Sequence, residues 1–163
     1  METQKQFKRR FSFEFFPPKT DKGWEKLQGV RNTLAEVDPD FFSVTFGAGG
    51  STRDRTVQTV LDLHKRGVST APHLSCVGAT RDSIAELLDV YRDNGINRIV
   101  ALRGDMPSGM GAAGELRYAN ELVEFVREET GDHFEIAVAA YPECHPQADT
   151  ASISFLVICI SPL

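Results

Sequence analysis

The sequence predicts an α/β protein in which parallel strands alternate with helices. Short runs rich in β-branched and aromatic residues recur about every thirty residues, the length of one strand–helix–strand unit. Between these runs, apolar residues recur at spacings of three and four, which is the period of one helix face. Strands and helices that alternate in this way are typical of right-handed crossovers between parallel strands.

Five strands are predicted along the chain. They are residues 11–16, 41–46, 70–76, 98–102 and 135–141. Four helices are predicted between them. Their apolar faces are Trp24, Leu27, Val30, Leu34 and Val37; Val57, Val60, Leu61 and His64; Ile84, Leu87, Leu88 and Tyr91; and Tyr118, Leu122, Phe125 and Val126. Thr80 is the predicted N-cap of the third helix and Asn94-Gly95 its stop, while Gly67 and Gly131 end the second and fourth helices.

Two architectures use this alternation, the closed (β/α)8 barrel and the open doubly wound sheet. Both place their chemistry at the carboxyl ends of the strands. Every predicted strand here ends near polar or reactive side chains, whereas an open sheet concentrates its ligand contacts at one switch point. These residues are Glu14, Thr45, His73, Arg103, Asp105, Tyr141 and His145. The pattern favours a wide site around the mouth of a barrel.

Composition excludes several classes of protein. The 163 residues suffice for one domain with a core, and the 41% hydrophobic and 25% charged residues are typical of globular proteins. A net charge of −5 argues against a nucleic-acid partner. The longest apolar run, residues 153–160, is far too short to cross a bilayer. Three widely spaced cysteines, Cys76, Cys144 and Cys159, and the lack of a signal peptide favour the cytoplasm.

Glu14 is the most informative single residue, because four phenylalanines surround it in the first strand run. Apolar surroundings disfavour the charged form of a carboxyl group, and so produce an acid that works near neutral pH. However, side chains alternate along a strand. Glu14 then lies on the face opposite Phe13 and Phe15, and a solvent-facing carboxylate is the other interpretation.

Three further motifs have simple alternatives. Residues 109–114 read G-x-G-x-x-G, but residues 103–108 separate them from the preceding strand, so a loop is favoured over a dinucleotide fingerprint. Residues 47–51 are glycine-rich and precede a helix; they either offer backbone N–H groups to a phosphate or form a tight turn. A zinc site made of His73, Cys76, Cys144 and His145 is disfavoured, because adjacent side chains point apart and no C-x-x-C pair is present. No metal is expected.

Five motifs, one per strand, together resemble the bacterial, flavin-dependent, single-domain 5,10-methylenetetrahydrofolate reductases. They are Phe-Glu-Phe-Phe-Pro-Pro, Ser-Val-Thr-Phe-Gly-Ala-Gly-Gly-Ser, Pro-His-Leu-Ser-Cys, Ala-Leu-Arg-Gly-Asp and Ala-Ala-Tyr-Pro-Glu-Cys-His-Pro. The resemblance covers residues 11–149, after a polar N-terminal tail of residues 1–10. It implies a (β/α)8 TIM barrel with FAD at its mouth, of which this chain supplies about the first four and a half βα units.

The resemblance also implies a reaction. NAD(P)H reduces the flavin and leaves, and 5,10-methylenetetrahydrofolate then receives a hydride, which gives 5-methyltetrahydrofolate for methionine synthesis. The folate ring must first open, which requires a proton on the departing nitrogen. By its motif, Glu14 is the acid that supplies this proton. Asp105 matches an aspartate beside both flavin and folate, so the implied catalytic and substrate-binding residues are Glu14 and Asp105.

The same matching implies the cofactor contacts. Thr45, Phe46 and Ala48 match contacts to flavin and nicotinamide, although many relatives have Tyr where Phe46 stands. The remaining matches are flavin contacts. They are His73, Arg103, Gly104, Asp105, Ala119, Tyr141 and His145. Members of the family form homo-oligomers, whereas the sequence leaves the oligomeric state of this chain and its choice between NADH and NADPH open.

Residues 150–163 depart from the resemblance. This tail is apolar, β-prone and uncharged, which indicates a frameshifted or truncated reading frame and a tendency to aggregate. A half barrel has two unpaired sheet edges and an uncovered interior. The isolated chain is therefore expected to bind FAD weakly or not at all and to lack reductase activity. Two alternatives are an inert half-barrel that docks to a partner chain and an open flavodoxin-like sheet that binds a nucleotide.

Overall fold

A computed structural model describes residues 10–46, 53–104 and 114–139, together with the backbone of a short strand near the C-terminus. These residues form one six-stranded sheet with four helices. The strands are β1 (Ser12–Phe15), β2 (Phe41–Val44), β3 (Thr70–Ser75), β4 (Arg98–Leu102), β5 (Glu135–Val138) and β6 (Cys159–Ile160). The helices are α1 (Asp21–Ala35), α2 (Arg53–Lys65), α3 (Arg81–Asp93) and α4 (Ala119–Thr130). All five predicted strands and all four predicted helices are present.

Local capping explains the bounds of α3 and α4. The Thr80 side chain accepts a hydrogen bond from the Ser83 backbone N–H at 3.2 Å, and the Ser83 hydroxyl oxygen accepts one from the Thr80 N–H at 3.1 Å. This reciprocal capping box confirms Thr80 as the predicted N-cap. Asn94 is the C-cap of α3, as predicted, and Gly95 follows it with φ +79°. Gly131 ends α4 with φ +57°, a conformation that suits glycine.

The order of the strands decides between the two predicted architectures for the described part of the chain. β1 to β5 are neighbours in the order of the sequence, and each neighbouring pair is parallel. Right-handed crossovers in a constant direction place all the helices on the same face of the sheet. A doubly wound sheet instead reverses its order at a switch point, and these five strands have no such reversal. The topology of the described residues is consistent with part of a (β/α)8 barrel.

The hydrophobic core lies between this sheet and its helices. Alternate strand residues are buried there against the apolar faces of the helices. The strand residues include Phe15, Phe42, Val44, Leu74, Ile99, Ala101 and Ile136. Their helix partners include Leu27, Leu63, Leu87, Leu88, Tyr91, Leu122 and Phe125. We call the opposite side of the sheet, which the helices leave uncovered, the open face.

The predicted apolar face of α1 is partly wrong. Val30 and Val37 are exposed, whereas Arg31 is buried in their place. The Arg31 guanidinium donates hydrogen bonds to the Arg66 carbonyl at 2.9 Å and to the Asn32 side chain at 2.7 Å. Because these bonds satisfy part of the buried guanidinium, its aliphatic stem can pack where a valine was expected.

A network of charged side chains lies at the amino-terminal end of the open face. Arg98 on β4 donates to Asp40 at 2.9 Å and to Glu135 on β5 at 2.6 Å, and its guanidinium lies 4.6 Å from the centre of the Phe41 ring. Burial lowers the pKa of Arg98, but the hydrogen bonds to both carboxylates outweigh it, so the net pKa is raised. This network ties β2, β4 and β5 together, far from the carboxyl ends of the strands.

The edge of the sheet at β5 differs from the prediction of two unpaired edges. The backbone of Cys159–Ile160 pairs with it in the antiparallel direction, opposite Ile136 and Ala137. The tail therefore contains a strand that covers part of this edge. β1 pairs only with β2 among the described strands. No helix within the described ranges is long and apolar enough to span a bilayer.

Candidate active site

The carboxyl half of the open face carries the polar side chains that the sequence singled out. Since Phe15, Val44 and Leu74 face the helices, alternation places Glu14, Ser43, His73 and Ser75 on the open face. The strands are parallel, so their carboxyl ends meet at one edge of the sheet. The open face thus brings together groups from β1, β2 and β3.

Glu14 and His73 are in contact across this face. The Glu14 Oε2 atom lies 3.4 Å from His73 Nε2. The two residues are on β1 and β3, and β2 lies between them. Ser43 stands opposite Glu14 in the register of β2, and Ala71 stands opposite Ser43 on β3. Because the Ser43 side chain on β2 is small, the longer Glu14 and His73 side chains reach each other over β2.

Glu14 is not enclosed by the phenylalanines that flank it in sequence. Its side chain is 52% exposed, while Phe13 and Phe15 pack with Phe42 on the other face of the sheet. Phe16 is exposed. Alternation along the strand, the second interpretation of this motif, accounts for the arrangement in this chain. The neighbour of Glu14 across the sheet is the His73 imidazole and not a phenylalanine ring.

His73 is the buried member of the pair, with 9% of its side chain exposed. Burial lowers its pKa below the ordinary value of 6.5, and the charge of Glu14 opposes this effect by raising it. The net direction is downward because burial is the larger cause. At neutral pH the imidazole is therefore uncharged, and its contact with Glu14 is polar rather than a full ion pair.

A second group of contacts joins the carboxyl ends of β3 and β4. The Ser75 hydroxyl donates a hydrogen bond to the Arg103 carbonyl at 3.0 Å, and the Val77 N–H donates to the same oxygen at 3.0 Å. The Arg103 Nε–H donates to the Gly104 carbonyl at 3.3 Å. Gly104 has φ +83°, and a β-carbon there would overlap the Ser75 hydroxyl oxygen. These bonds hold Arg103 and Gly104 beside the β3 terminus.

Sequence reasoning missed Ser75. It lies within the Pro-His-Leu-Ser-Cys motif and shares a face with His73, which is the signal that could have identified it. The same pattern turns Cys76 towards the core, where it is a buried free thiol. Burial raises the pKa of this thiol, which makes it a poor nucleophile.

Thr45 and Phe46 follow β2 and face opposite sides. The Thr45 N–H donates to the Phe15 carbonyl at 2.9 Å, and its own carbonyl accepts from the Thr56 hydroxyl at 3.1 Å. These bonds anchor Thr45 beside the end of β1, next to Glu14. Phe46 is partly buried against the hydrophobic core. Its described contacts are those of a packing residue, and its contact with a cofactor stays a prediction.

Ala119 begins α4 and is partly buried. The preceding Tyr118 is the N-cap, makes no side-chain capping bond and is exposed, so it does not belong to the apolar helix face where it was predicted. Four candidate residues lie outside the described residues. They are Ala48, Asp105, Tyr141 and His145.

Two alternative motifs can be compared with the described structure. Gly114, the last glycine of the G-x-G-x-x-G pattern, precedes α4 by several residues and packs against the backbone of Gly78 and Ala79. It does not open a helix as a dinucleotide fingerprint requires. For metals, the described ranges contain no group of three or more His, Cys, Asp or Glu side chains that could hold an ion.

A groove of about 610 Å³ lies on the helix side of the sheet, between the start of α1 and α2. Trp24 and the cationic side chains Lys19, Arg55 and Lys65 are among its lining residues. None of the candidate site residues that the structure describes lines it. The groove is therefore separate from the open-face cluster.

Comparisons with known proteins identify a family to which this chain is similar. A family model described as methylenetetrahydrofolate reductase matches residues 1–158. The 5,10-methylenetetrahydrofolate reductases of Salmonella typhimurium and Escherichia coli are each similar to this chain, with 44% identity over 146 residues and 89% of the chain covered. The chain spans about half of these relatives, 48% of their length. Methylenetetrahydrofolate reductase (NADH) 1 of Arabidopsis thaliana is 42% identical over 141 residues, which cover 83% of this chain and 24% of that protein.

Proposed function

Because this chain belongs to the methylenetetrahydrofolate reductase family, a family of oxidoreductases, we propose that it forms the acid-bearing N-terminal part of such a reductase. The proposed reaction is the NAD(P)H-dependent, FAD-mediated reduction of 5,10-methylenetetrahydrofolate to 5-methyltetrahydrofolate. The observation that carries the proposal is the placement of Glu14. Its carboxylate lies on the open face, half exposed and 3.4 Å from His73.

The placement of Glu14 supports the proton chemistry that we propose for it. Opening the five-membered ring of the folate requires a proton on the departing nitrogen, and a carboxylic acid at an accessible surface is able to deliver one. A half-exposed side chain on an edge strand is reachable by a substrate that approaches the open face. Glu14 therefore acts as the general acid, and Asp105 is proposed as the second carboxylate that contacts the substrate.

The donor groups of the open face fit a flavin. When bound, FAD supplies the hydride chemistry between NAD(P)H and the folate. His73 and the half-buried Arg103 offer hydrogen-bond donors near the carboxyl ends of β3 and β4. Thr45, anchored beside β1, and Gly104 complete the described part of the proposed site. Phe46, Ala48, Asp105, Ala119, Tyr141 and His145 are proposed to contact the cofactor as well.

The biological setting is part of the proposal. The product would supply methyl groups for methionine synthesis, and the cytoplasm is the proposed location. A homo-oligomer is proposed for the whole enzyme. The name of the Arabidopsis relative specifies NADH, whereas the bacterial names specify neither nicotinamide.

We also propose that the 163-residue chain alone binds FAD weakly and has no reductase activity. Glu14 is half exposed on the open face, and β1 has one partner strand among the described residues. A ligand on this face would be exposed to water on its outer side. Water competes for hydrogen bonds and weakens electrostatic interactions, so the site needs a covering layer to bind and react.

The test compares the chain with a chimera. Residues 1–149 are joined to the part of the Escherichia coli relative that follows the matched region, and FAD binding and NADH-dependent reduction of methylenetetrahydrofolate are measured for both proteins. The proposal predicts a flavin-loaded, active chimera and an inactive chain. A folded chimera without reductase activity would contradict the proposed function and favour an inert half-barrel. A yellow, active 163-residue chain would contradict the proposed need for a cover.

A further inference from the structure

We infer that His73 is a positioning residue for Glu14, and that its imidazole holds the Glu14 side chain in one orientation on the open face. This inference rests on the proposed function for its catalytic meaning, but the contact itself is independent of that function. In the family resemblance His73 has only the role of a flavin contact. Its relation to Glu14 comes from the contact between the two side chains.

The two residues differ in how firmly the fold holds them. His73 lies on β3, which pairs with β2 on one side and β4 on the other, and its side chain is almost completely buried. Glu14 lies on β1, which has a single partner strand among the described elements, and half of its side chain is exposed. A flexible, exposed carboxylate next to a fixed imidazole gains orientation from that imidazole.

Small residues make this contact possible. Neighbouring strands are about 4.8 Å apart, so β1 and β3 are separated by roughly 10 Å across β2. Ser43 is the β2 residue opposite Glu14, and Ala71, two residues before His73 on β3, is opposite Ser43. A branched or long side chain at position 43 would stand between the carboxylate and the imidazole. The Glu14–His73 contact thus depends on three strands in this register.

The charge state of His73 suits a positioning role. A protonated imidazole would bind the carboxylate as an ion pair and oppose its function as an acid. Burial instead lowers the pKa of His73. Val100 of β4, which stands opposite His73 in the register, does not titrate, and Glu14 of β1 is the charged group that contacts His73 and acts on its pKa. The 3.4 Å separation exceeds that of an ordinary hydrogen bond, as is common for catalytic contacts before a substrate binds.

The experiment measures both sides of the contact by NMR on the isotope-labelled 163-residue chain. First, the pKa of His73 is measured in the wild type and in Glu14→Gln. Loss of the carboxylate charge should lower it, because that charge is the cause that raises it. Glu25→Gln, which removes an exposed carboxylate from α1, is the matched control and should leave it unchanged. If Glu14→Gln fails to fold, Glu14→Asp keeps the charge on a shorter stem, and it should lower the pKa of His73 as well.

Second, three-bond couplings report the χ1 rotamer of Glu14. The wild type should populate one staggered rotamer, and His73→Ala should average the couplings over several. His73→Gln keeps a nitrogen donor at the reach of Nε2, so it should restore the single rotamer. Ser43→Val should average the couplings although His73 is intact. These readouts distinguish positioning from a purely structural role, which would leave the Glu14 rotamer unaffected.

An unchanged pKa of His73 in Glu14→Gln, or an unchanged Glu14 rotamer in His73→Ala, would overturn the inference. Failure of the proposed function gives a different result. If the chimera described above is inactive while the NMR coupling is present, the contact stands and the reductase assignment fails. If the chimera is active and the coupling is absent, the reductase assignment stands and the positioning role fails.

Discussion

Gly104 lies so close to Ser75 that a β-carbon at position 104 would overlap the Ser75 hydroxyl oxygen. The backbone of Gly104 is also in the left-handed region, with φ +83°, which side chains disfavour. The Ser75 hydroxyl donates to the Arg103 carbonyl at 3.0 Å. The carboxyl ends of β3 and β4 are therefore joined by an approach that requires glycine.

We predict that Gly104→Ala destabilises the chain by about 2–3 kcal/mol. A positive φ in a residue with a side chain costs about 1–3 kcal/mol, and displacing the Ser75 hydroxyl loses its hydrogen bond as well. Urea denaturation followed by circular dichroism measures the change in the free energy of unfolding. Adding Ser75→Ala to Gly104→Ala removes the overlapping oxygen, and the loss on substituting Gly104 should be smaller in that background.

Substitutions at two other glycines distinguish the cost of a positive φ from the cost of the overlap with Ser75. Gly67 has φ +86° but open space around it, so Gly67→Ala should show the backbone cost alone, about 1 kcal/mol. Gly29 lies inside α1 with nothing within 4 Å, and Gly29→Ala should stabilise the chain by roughly 0.5–1 kcal/mol. A Gly104→Ala effect no larger than that of Gly67→Ala would show that the contact with Ser75 is unimportant.

The lowered pKa of His73 predicts a pH dependence of stability. Unfolded histidine titrates near 6.5, while folded His73 binds its proton only at lower pH. Between these two values the unfolded chain holds more protons, so the free energy of unfolding contributed by His73 decreases as the pH falls below 6.5 and levels off below the folded pKa. His73→Gln removes this contribution. Parallel stability curves for the wild type and His73→Gln between about pH 5 and 8 would contradict the prediction.

Arg98 should be essential to the amino-terminal end of the sheet. Its side chain is only 13% exposed and neutralises both Asp40 and Glu135. We expect Arg98→Met to cost about 3 kcal/mol, because two partly buried carboxylates lose the guanidinium that they share and its charge. Arg92→Met provides the matched control at the exposed pair with Asp89, where a loss below about 1 kcal/mol is expected. Equal losses in the two variants would show that burial of the Arg98 network does not matter.

Tyr91 offers a test of the core. Its side chain is fully buried, and its hydroxyl has no hydrogen-bond partner among the described residues. Burial raises the pKa of this phenol above its ordinary value, so it stays neutral. Removing a buried, unsatisfied hydroxyl lifts its desolvation cost. Tyr91→Phe should therefore leave the thermal midpoint unchanged or raise it, whereas a loss of more than about 1 kcal/mol would reveal a partner for the hydroxyl.

Much of the fold was predictable because its signals are local. Thr80 caps α3, Gly131 ends α4, and the five strand runs occur where β-branched and aromatic residues cluster. The order of the strands was harder to predict, because the alternation of strands and helices fits both a barrel and a doubly wound sheet. Only the observed pairing of β1 to β5 in sequence order distinguishes the two.

The site depended more on contacts between distant residues. Alternation along β1 indicated that Glu14 faces away from Phe13 and Phe15, but it did not identify His73 as the partner across β2. Arg31 is buried in place of Val30 because it binds the Arg66 carbonyl. The helical period of α1 gives no information about this distant carbonyl. Likewise, the antiparallel pairing of Cys159–Ile160 with β5 joins segments that are distant in the sequence. Such contacts arise from the packing of elements and leave no local pattern.

The most direct test of the account is Glu14→Gln in the chimera with the Escherichia coli relative. If Glu14 delivers the proton that opens the folate ring, the variant should reduce methylenetetrahydrofolate about 10²–10⁴-fold more slowly. NADH should still reduce the bound flavin at an unchanged rate, because that step needs no acid at position 14. Glu25→Gln should leave both rates unchanged. Folate reduction at the parent rate in Glu14→Gln would contradict the role of Glu14, and with it the central claim.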